Sequence, residues 1–365
     1  MKIGHIASPW ITIPPKNYGG AEIVIYNLIE EQVAQGNEVT LFAPGDAKTS
    51  ARLVSFLPQS LLAAGETWQA HLKAYYHFYC SVEYLRKHEF DLVHTHLSSA
   101  ADLYLFPLLL HPPTPHVTTL HSPFPFDKAP SKQLGTADEY YMQWLTKVPM
   151  VAISKSAEAE APEDLNFVGV VHHGLPAQAF HATSKRQGDF FVWLGRFARG
   201  KGAHLAIEAA KRADVSLILA GTIDRYQQES MRYFQEELKP LFDAEQIKYV
   251  GPVNFKQKQS LLSRARGFLN PIEWEEPFGM VMIEAMAVGC PVISFARGAA
   301  PEIVAHGETG FLVQNVDEMA QSIARIDEID RETTRLHAQR NFSASVMAEK
   351  YGQVYEKVLA KQPTF

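Results

Sequence analysis

Two glutamates stand close together in the segment EWEEPFGMVMIEAMAVG, residues 273–289. Glu276 precedes a Pro-Phe-Gly turn, and the helix predicted after that turn places Glu284 on one face with Val281 and Val288. A carboxylate among apolar residues needs hydrogen-bond donors, because burying an unpaired charge is costly. Two vicinal hydroxyl groups of a ribose would satisfy Glu284.

The predicted start of this helix is also a place for an anion. If Gly279 begins the helix, its amide and those of Met280 and Val281 have no intrahelical acceptor and can bind phosphate groups. Glu276 would then reach a sugar attached to those phosphates. The alternative is that Glu276 only complements the helix dipole and that Glu284 pairs with a neighbouring arginine. The residues alone leave both interpretations open.

A glycine-rich turn carries two cations in the segment FFVWLGRFARGKGAHLAIEAA, residues 190–210. Arg196 and Lys201 lie there between a predicted strand and a predicted helix, where a planar guanidinium and a point charge suit a diphosphate. A solvated basic loop is the alternative. Near the N-terminus, Gly19 and Gly20 open another predicted helix, for which ordinary turn chemistry is the simpler interpretation.

Three histidines lie at or near the ends of predicted strands: His94 and His96 in DLVHTH, and His121 in HVTTLHS. A metal trio is one interpretation, but hydrogen-bonded histidines are more typical of such positions, so we predict no metal. The sequence has no dinucleotide fingerprint, no P-loop, no G-x-S-x-G and no H-E-x-x-H. Nicotinamide enzymes, P-loop phosphotransferases, serine hydrolases and zinc peptidases therefore have no motif to support them.

The elements that must position these residues form two α/β patterns in tandem. Strands and helices alternate from residue 2 onward, and the alternation restarts at residue 190 after a polar stretch at 182–189. This alternation predicts two doubly wound parallel sheets, each covered by helices on both faces. Ligands of such sheets bind outside the carboxyl ends of the strands. An aromatic-rich helix is predicted at 71–88, where we expect its aromatic residues to pack in the core rather than line an acceptor pocket or touch a membrane; these residues are Tyr75, Tyr76, Phe78, Tyr79 and Tyr84.

Composition narrows the partners and the compartment. With 46% hydrophobic residues, 20% charged residues and a net charge of -6, the chain does not resemble a nucleic-acid-binding protein. Its two cysteines do not indicate disulfides. The segment MKIGHIASPW has no signal-peptide pattern, and the longest apolar run, at 103–110, is too short to cross a bilayer. We therefore predict a cytoplasmic protein.

The motifs together resemble those of the retaining glycosyltransferases of family 4. The resemblance rests on GGAE near the N-terminus, LGR followed by KG, and EPFGMVMIEA followed by GCPVI and GETGFLV, in that order along nearly the whole chain. It implies the GT-B fold, with two Rossmann-like domains and catalysis in the cleft between them. The acceptor domain would span 1–178 and be completed by a C-terminal helix at 343–365 that crosses back to it, and the donor domain would span 179–342. The predicted apolar face at 346–358 would then pack on the first domain.

The resemblance also implies roles for single residues. Arg196 and Lys201 match the pair that binds the diphosphate, Glu284 the ribose ligand, and Glu276 the acid that holds the donor sugar, with backbone contacts from Phe278 and Gly279. In the same way, Gly20 matches a glycine that approaches the donor phosphates, Val253 a position that contacts the base, and His121 a histidine that faces the transferred sugar. Where many members have Asn-Gly-Val, this chain has His-Gly-Leu at 173–175, which puts a contact there in doubt.

The expected reaction is transfer of a hexose from a nucleotide diphosphate sugar to an acceptor hydroxyl, with retention at the anomeric carbon and without a metal or other cofactor. UDP-glucose is the first choice of donor. The acceptor is a small molecule, a lipid or a glycan, and a lipid acceptor would bring peripheral membrane contact. Two alternatives stand beside this prediction: a nucleotide-sugar epimerase of the same fold, and a non-catalytic module that binds a nucleotide sugar.

Overall fold

The structure is a computed structural model that describes residues 1–16, 19–109, 114–123, 137–180, 188–224 and 227–360. The chain divides into two units. The first contains Met1–Gly174 and Ala344–Phe365, and the second contains Leu175–Ser343. The first boundary lies four residues before the predicted one at 178/179, and residues 182–187 of the predicted linker lie outside the described residues.

The first unit contains a seven-stranded sheet whose strand pairs are all parallel. Its strand order is β3-β2-β1-β4-β5-β6-β7, so β1 and β4 lie side by side at the point where the order reverses. The strands are β1 (Lys2–Ile6), β2 (Glu38–Phe42), β3 (Arg52–Val54), β4 (Leu92–Leu97), β5 (His116–Leu120), β6 (Met150–Ala152) and β7 (Phe167–Val170); the helices are α1 (Gly20–Ala34), α2 (His71–Leu85), α3 (Leu105–Leu109), α4 (Ala137–Leu145) and α5 (Lys155–Ala159).

The second unit repeats this architecture with a six-stranded sheet, again with only parallel pairs. Its order is β10-β9-β8-β11-β12-β13, with the reversal between β8 and β11. The strands are β8 (Phe190–Leu194), β9 (Ser216–Ala220), β10 (Ile247–Tyr249), β11 (Gly267–Asn270), β12 (Val292–Phe295) and β13 (Gly310–Val313); the helices are α6 (Ala203–Arg212), α7 (Gln228–Arg232), α8 (Phe255–Arg264), α9 (Met280–Ala287), α10 (Ala300–Ile303), α11 (Val316–Arg325) and α12 (Arg331–Phe342). The prediction of two tandem Rossmann-like units is confirmed.

The C-terminal helix α13 (Ala344–Ala360) belongs to the first unit, as predicted. Its buried face includes Tyr351 and Tyr355, whose hydroxyl groups bond to residues of the unit's sheet and of α1. Lys357 Nζ donates a hydrogen bond of 2.6 Å to the carbonyl oxygen of Val168, at β7. The apolar spacing seen in the sequence therefore marks a face that packs on the sheet.

The expectation for the aromatic helix α2 is wrong for three of its tyrosines. Tyr75, Tyr76 and Tyr79 are 40%, 51% and 45% exposed, whereas Phe78 is buried in the core of the unit. The helix contributes a narrow stripe to the core, and aromatic residues outside that stripe face solvent. Aromatic content alone does not tell which face of a helix a residue occupies.

Candidate functional site

In the second unit, the polar residues singled out in the sequence follow different strands of one parallel sheet. Arg196 comes two residues after β8, Val253 follows β10, and Glu276 lies in the loop after β11. Because the strands are parallel, all three segments leave from the same edge of the sheet. Since β8 and β11 are neighbours, the turn that carries Arg196 and Lys201 lies beside the loop that carries Glu276.

Close backbone contacts join these two segments. The carbonyl oxygen of Gly200 accepts a hydrogen bond of 2.8 Å from the amide of Glu273, and the carbonyl oxygen of Lys201 accepts one of 3.1 Å from the indole of Trp193. Gly202 has φ +71°, and a Cβ atom there would lie 1.8 Å from the carbonyl oxygen of Pro271. Only glycine fits this position, so the turn is held against the loop after β11.

Lys201 and Glu276 form an ion pair across the two segments. Their side chains are 25% and 14% exposed, and Lys201 Nζ also lies 5.1 Å from the centre of the Trp274 ring. The backbone of Glu276 is held from the other side, where its carbonyl oxygen accepts a hydrogen bond of 2.9 Å from the amide of Ala299. The sequence suggested separate ligands for Lys201 and Glu276, and the structure shows them as partners of each other.

Helix α9 begins where the sequence predicts. Gly279 is its N-cap residue with φ +89°, in the left-handed region, and no side chain caps the helix. Among the described residues, no hydrogen bond reaches the amides of Gly279, Met280 or Val281. These donors and the positive end of the helix form a place for an anion. The side chain of Phe278, which precedes this helix start, is buried.

Glu284 is buried and paired, but not with an arginine. Lys258 Nζ, from α8, lies 2.6 Å from Glu284 Oε1, while Oε2 is buried and has no hydrogen-bond partner within the described residues. The lysine side chain is 25% exposed and the glutamate side chain 9%. The sequence did not indicate Lys258, because it lies 26 residues earlier in the chain and only tertiary packing brings the two together. One carboxylate oxygen is thus left for a further donor.

Arg196 and Val253 complete the predicted set in the second unit. Arg196 is exposed, and no ion pair joins it to an acid in the part of the chain that the structure describes. Val253 is half-buried and follows Gly251, whose φ is +81°. Arg196 adds an accessible positive charge close to the Lys201 turn.

In the first unit, Gly20 is the first residue of α1 and is exposed. A Cβ atom built at Gly20 would meet nothing within 4 Å, whereas one at Gly19 would lie 2.7 Å from the Cβ of Pro15. Packing within the unit therefore explains Gly19. It does not explain Gly20, where open space adjoins a helix start.

Glu22 is a residue that sequence reasoning missed. It lies in the first turn of α1 and is buried, and burial raises the pKa of its carboxyl group to about 7, with a smaller contribution from Asp102. An acid at this position normally complements the helix dipole, so the motif GGAE, which contains Glu22, did not indicate a buried carboxyl group. The structure shows instead a carboxyl group that titrates near neutrality.

The histidines of the first unit form one buried cluster. The strand register pairs His5 with His94 and His96 with Thr119, so these residues share one face of the sheet. His5 Nδ1 lies 3.0 Å from His96 Nε2, and His96 Nδ1 lies 3.0 Å from His121 Nε2. Burial lowers the pKa of His5 to about 4 and that of His121 to about 3, so the rings are neutral at pH 7.

Ring nitrogens of His5, His94 and His96 lie within 4.8 Å of one another, a spacing that a metal ion can use. They are engaged in hydrogen bonds instead: both nitrogens of His94 bond to hydroxyl groups, those of Tyr355 and Thr119. A bound metal would have to replace these bonds. The cluster therefore has the hydrogen-bonded character that the sequence favoured.

Comparison with known proteins assigns this fold and these motifs to a family. The model for "Glycosyltransferase Family 4" matches residues 18–177, and the model for "Glycosyl transferases group 1" matches residues 177–341. The chain belongs to the family 4 glycosyltransferases, which have the GT-B fold. It is therefore a glycosyltransferase, and the resemblance seen in the sequence is confirmed.

Proteins similar to this chain carry different names. The chain is 22% identical to spore coat protein SA of Bacillus subtilis, covering 98% of this chain and 100% of that protein. It is 25% identical to a phosphatidyl-myo-inositol mannosyltransferase of Mycobacterium leprae, covering 98% and 97%. At this level of identity, the relatives agree on the family and differ in what they are named for.

Solved structures show the same fold. A sucrose-phosphate synthase from Thermosynechococcus elongatus superposes with a TM-score of 0.77 at 21% identity, covering 99% of this chain and 100% of that one. The Anabaena protein Alr3699/HepE, solved in complex with UDP and glucose, superposes with a TM-score of 0.72 at 20% identity, covering 98% and 100%. Within the described residues, no helix has the length and apolar character needed to cross a membrane.

Proposed function

We propose that the protein transfers a hexose from a nucleotide diphosphate sugar to an acceptor hydroxyl group, with retention of configuration at the anomeric carbon. The observation that carries the proposal is the loop and helix start around Gly279, with Glu276 before it and Glu284 after it. Among the described residues, the three amides of the helix start have no acceptor and one buried oxygen of Glu284 has no hydrogen-bond partner. A diphosphate and a ribose are groups that these atoms can bind.

In this proposal the second unit binds the donor. Glu284 Oε2 accepts hydrogen bonds from the ribose hydroxyls, and Val253 contacts the base through its backbone. The amides of Gly279, Met280 and Val281 bind the diphosphate, with backbone contacts from Phe278. Glu276 then binds hydroxyl groups of the sugar, for which its carboxylate has acceptor capacity beyond the Lys201 pair.

Charge stabilisation is the main catalytic contribution of these residues. As the glycosidic bond breaks, negative charge grows on the leaving diphosphate, and in this proposal Arg196, Lys201 and the helix amides stabilise that charge. The leaving phosphate accepts the proton of the acceptor hydroxyl. Since two cations and a helix start supply the positive charge, we propose that no metal is needed, and activity that survives a chelator would support this.

In the first unit, Gly20 and His121 are proposed to take part in substrate binding. Gly20 leaves open space at a helix start for phosphate groups, and His121 has a buried Nδ1 without a partner among the described residues. The first unit also binds the acceptor, which is a small molecule, a lipid or a glycan. The exposed tyrosines of α2 are available for an acceptor or a membrane surface.

The donor is tested by a thermal-shift panel of UDP-glucose, UDP-GlcNAc, GDP-mannose and ADP-glucose, with Glu284→Ala beside the wild type. UDP-glucose is the first choice, a choice that agrees with the ligands of the Anabaena structure. A donor at about 100 times its Kd adds about 2.7 kcal/mol of stability, which is readily measured. A shift in the wild type that is lost in Glu284→Ala supports the proposed site.

Product analysis then separates the proposal from its alternatives. A transferase releases the nucleotide diphosphate and yields a glycosylated acceptor. An epimerase interconverts nucleotide sugars without an acceptor, and a non-catalytic module binds the donor and yields neither product. Either of the last two results, with a donor that clearly binds, overturns the proposal.

A further inference from the structure

A buried line of hydrogen bonds in the first unit connects Gln32 of α1 to His121. Gln32 Oε1 lies 2.8 Å from His5 Nε2, His5 Nδ1 lies 3.0 Å from His96 Nε2, and His96 Nδ1 lies 3.0 Å from His121 Nε2. All four side chains are buried. We call these four residues the histidine chain.

The histidine chain has a defined direction. An amide oxygen can only accept, so His5 must donate from Nε2, and a neutral imidazole with that proton has a bare Nδ1. His96 then donates from Nε2 to His5, and His121 donates from Nε2 to His96. His121 Nδ1 is therefore left as an acceptor. The direction holds only for neutral rings, and burial lowers the pKa of His96 well below its usual range, as it does for His5 and His121.

The Gln32 amide is also hydrogen-bonded to the C-terminal helix. Gln32 Nε2 donates a hydrogen bond of 2.9 Å to the hydroxyl oxygen of Tyr355. The Tyr355 hydroxyl in turn lies 2.8 Å from His94 Nδ1, and His94 Nε2 lies 2.7 Å from Thr119 Oγ1. With the Tyr355 hydroxyl oxygen accepting from Gln32, the hydroxyl proton is available for His94 Nδ1. The amide nitrogen thus faces Tyr355, and the amide oxygen faces His5.

The open end of the histidine chain lies at the carboxyl edge of the sheet. His121 directly follows β5, and its Nδ1 is buried without a hydrogen-bond partner among the described residues. Burying an acceptor without a donor is unfavourable, and a ligand hydroxyl group would supply the missing donor. We propose that Gln32, His5 and His96 are positioning residues that keep His121 Nδ1 without a proton. His121 Nδ1 then accepts a hydrogen bond from a hydroxyl group of a sugar substrate, a step that rests on the proposed function.

Substituting Gln32 tests the direction of the chain. Gln32→Met has a similar size but no acceptor, so His5 is free to move its proton to Nδ1 and the chain can reverse, which leaves His121 Nδ1 protonated. Leu28→Met changes a buried side chain of the same helix, leaves Gln32 in place and serves as the packing control. The two variants should therefore differ in the proton position of His121, the last ring of the chain, which loss of packing alone would not determine.

The measurement is nitrogen NMR of the full chain labelled in its histidine rings, since protonated and bare ring nitrogens have separate shifts. The His121 signals are assigned by their loss in His121→Asn. We expect His121 to be bare at Nδ1 in the wild type and in Leu28→Met, and to be at least partly protonated at Nδ1 in Gln32→Met. A wild-type spectrum with Nδ1 protonated overturns the proposal, as does a Gln32→Met spectrum without change. If Gln32→Met does not fold, His5→Leu serves the same purpose, because it removes the acceptor of His96.

A ligand titration of the same samples tests the hydroxyl contact and identifies its source. A change at His121 Nδ1 with UDP-glucose and none with UDP assigns the contact to the donor sugar. A change only when glucose is added to the UDP-bound protein assigns it to an acceptor sugar. For a donor contact, Gln32→Met should weaken UDP-glucose binding about 2- to 13-fold and leave UDP binding unchanged, as expected for one neutral hydrogen bond. If UDP-glucose binds and neither addition changes Nδ1, the substrate contact is wrong. If no nucleotide sugar of the panel binds the wild type, the proposed function fails, while the wild-type spectrum still decides the direction of the chain.

Discussion

Replacing Glu284 by glutamine tests the ribose contact with little change in shape. Lys258 Nζ lies 2.6 Å from Glu284 Oε1, and the ammonium group requires an oxygen there. The amide of the variant should therefore turn its oxygen toward Lys258, which places its NH2 group where Oε2 now lies. A donor would then face the ribose hydroxyls in place of the unpaired acceptor. The variant should lose the ribose contact while it keeps a hydrogen bond to the lysine.

The size of the loss follows from the kind of bond removed. A hydrogen bond to a charged group contributes about 1.5 to 3 kcal/mol, which corresponds to a Kd about 10- to 150-fold higher. The effect on unfolding without ligand should be smaller, about 1 kcal/mol or less, because Lys258 is 25% exposed and water screens its pair with Glu284. A large effect on binding with a small effect on stability separates a ligand contact from a purely structural pair.

Isothermal titration calorimetry measures the change in binding, and denaturant unfolding without ligand measures the change in stability. UDP, GDP and ADP are titrated into the wild type and into Glu284→Gln, with Glu245→Gln as an exposed charge-matched control in the same unit. The 2′,3′-dideoxy form of the nucleotide that binds should bind the wild type and Glu284→Gln about equally, because it has no hydroxyl to lose. If Glu284→Gln stays within about threefold of the wild type, or loses as much with the dideoxy form, the ribose assignment is wrong.

Three further predictions concern charge and pH. Lys201→Ala should lower kcat about 100- to 1000-fold through loss of one charge on the leaving diphosphate, whereas Glu284→Ala should chiefly raise the donor KM; equal, mild losses in steady-state assays would contradict both roles. Glu22→Gln should raise the unfolding temperature at pH 8 and change it little at pH 4, because the folded pKa of about 7 lies above the unfolded value of 4.5, so the stabilising contribution of Glu22 is present below pH 4.5 and is lost as the pH rises through 7. His77 is a buried histidine of α2, and burial lowers its folded pKa to about 4, below its unfolded value of 6.5, so its stabilising contribution is present above pH 6.5 and is lost as the pH falls toward 4. About 2 kcal/mol of stability should therefore be lost at pH 5. His77→Gln should flatten the acid side of the stability profile measured by denaturant unfolding.

Much of the architecture follows from local patterns that tertiary packing did not override. The alternation of strands and helices produced two parallel sheets, and α6 begins at Ala203, where the sequence predicts a helix. Gly279 caps α9 in a left-handed conformation that glycine adopts at little cost, which explains why the start of that helix was readable. Arg196, Lys201 and Glu276 all follow strands of one sheet, so strand order alone brought them to one edge.

Other features depend on contacts between residues that are distant in the chain. The pair between Lys258 and Glu284 could not be read from spacing, since each lies on its own helix and only their packing determines which cation the acid meets. The same holds for Lys201 and Glu276, which are 75 residues apart. The exposure of Tyr75 depends on the rotation of α2 about its own axis. Because α2 has aromatic residues on several faces, its sequence does not determine which face packs on the sheet.

The histidines show most clearly which features the sequence determines and which depend on the tertiary structure. Their alternation in DLVHTH by itself determined that His94 and His96 lie on one face of a strand, because side chains alternate along a strand with a period of two. Only the tertiary structure placed His5 on the neighbouring strand and Gln32 and Tyr355 on the covering helices. The direction of a hydrogen-bond chain is set at its ends. Here one end is an amide contributed by α1, which is hydrogen-bonded to a tyrosine of the last helix, 323 residues further along the chain.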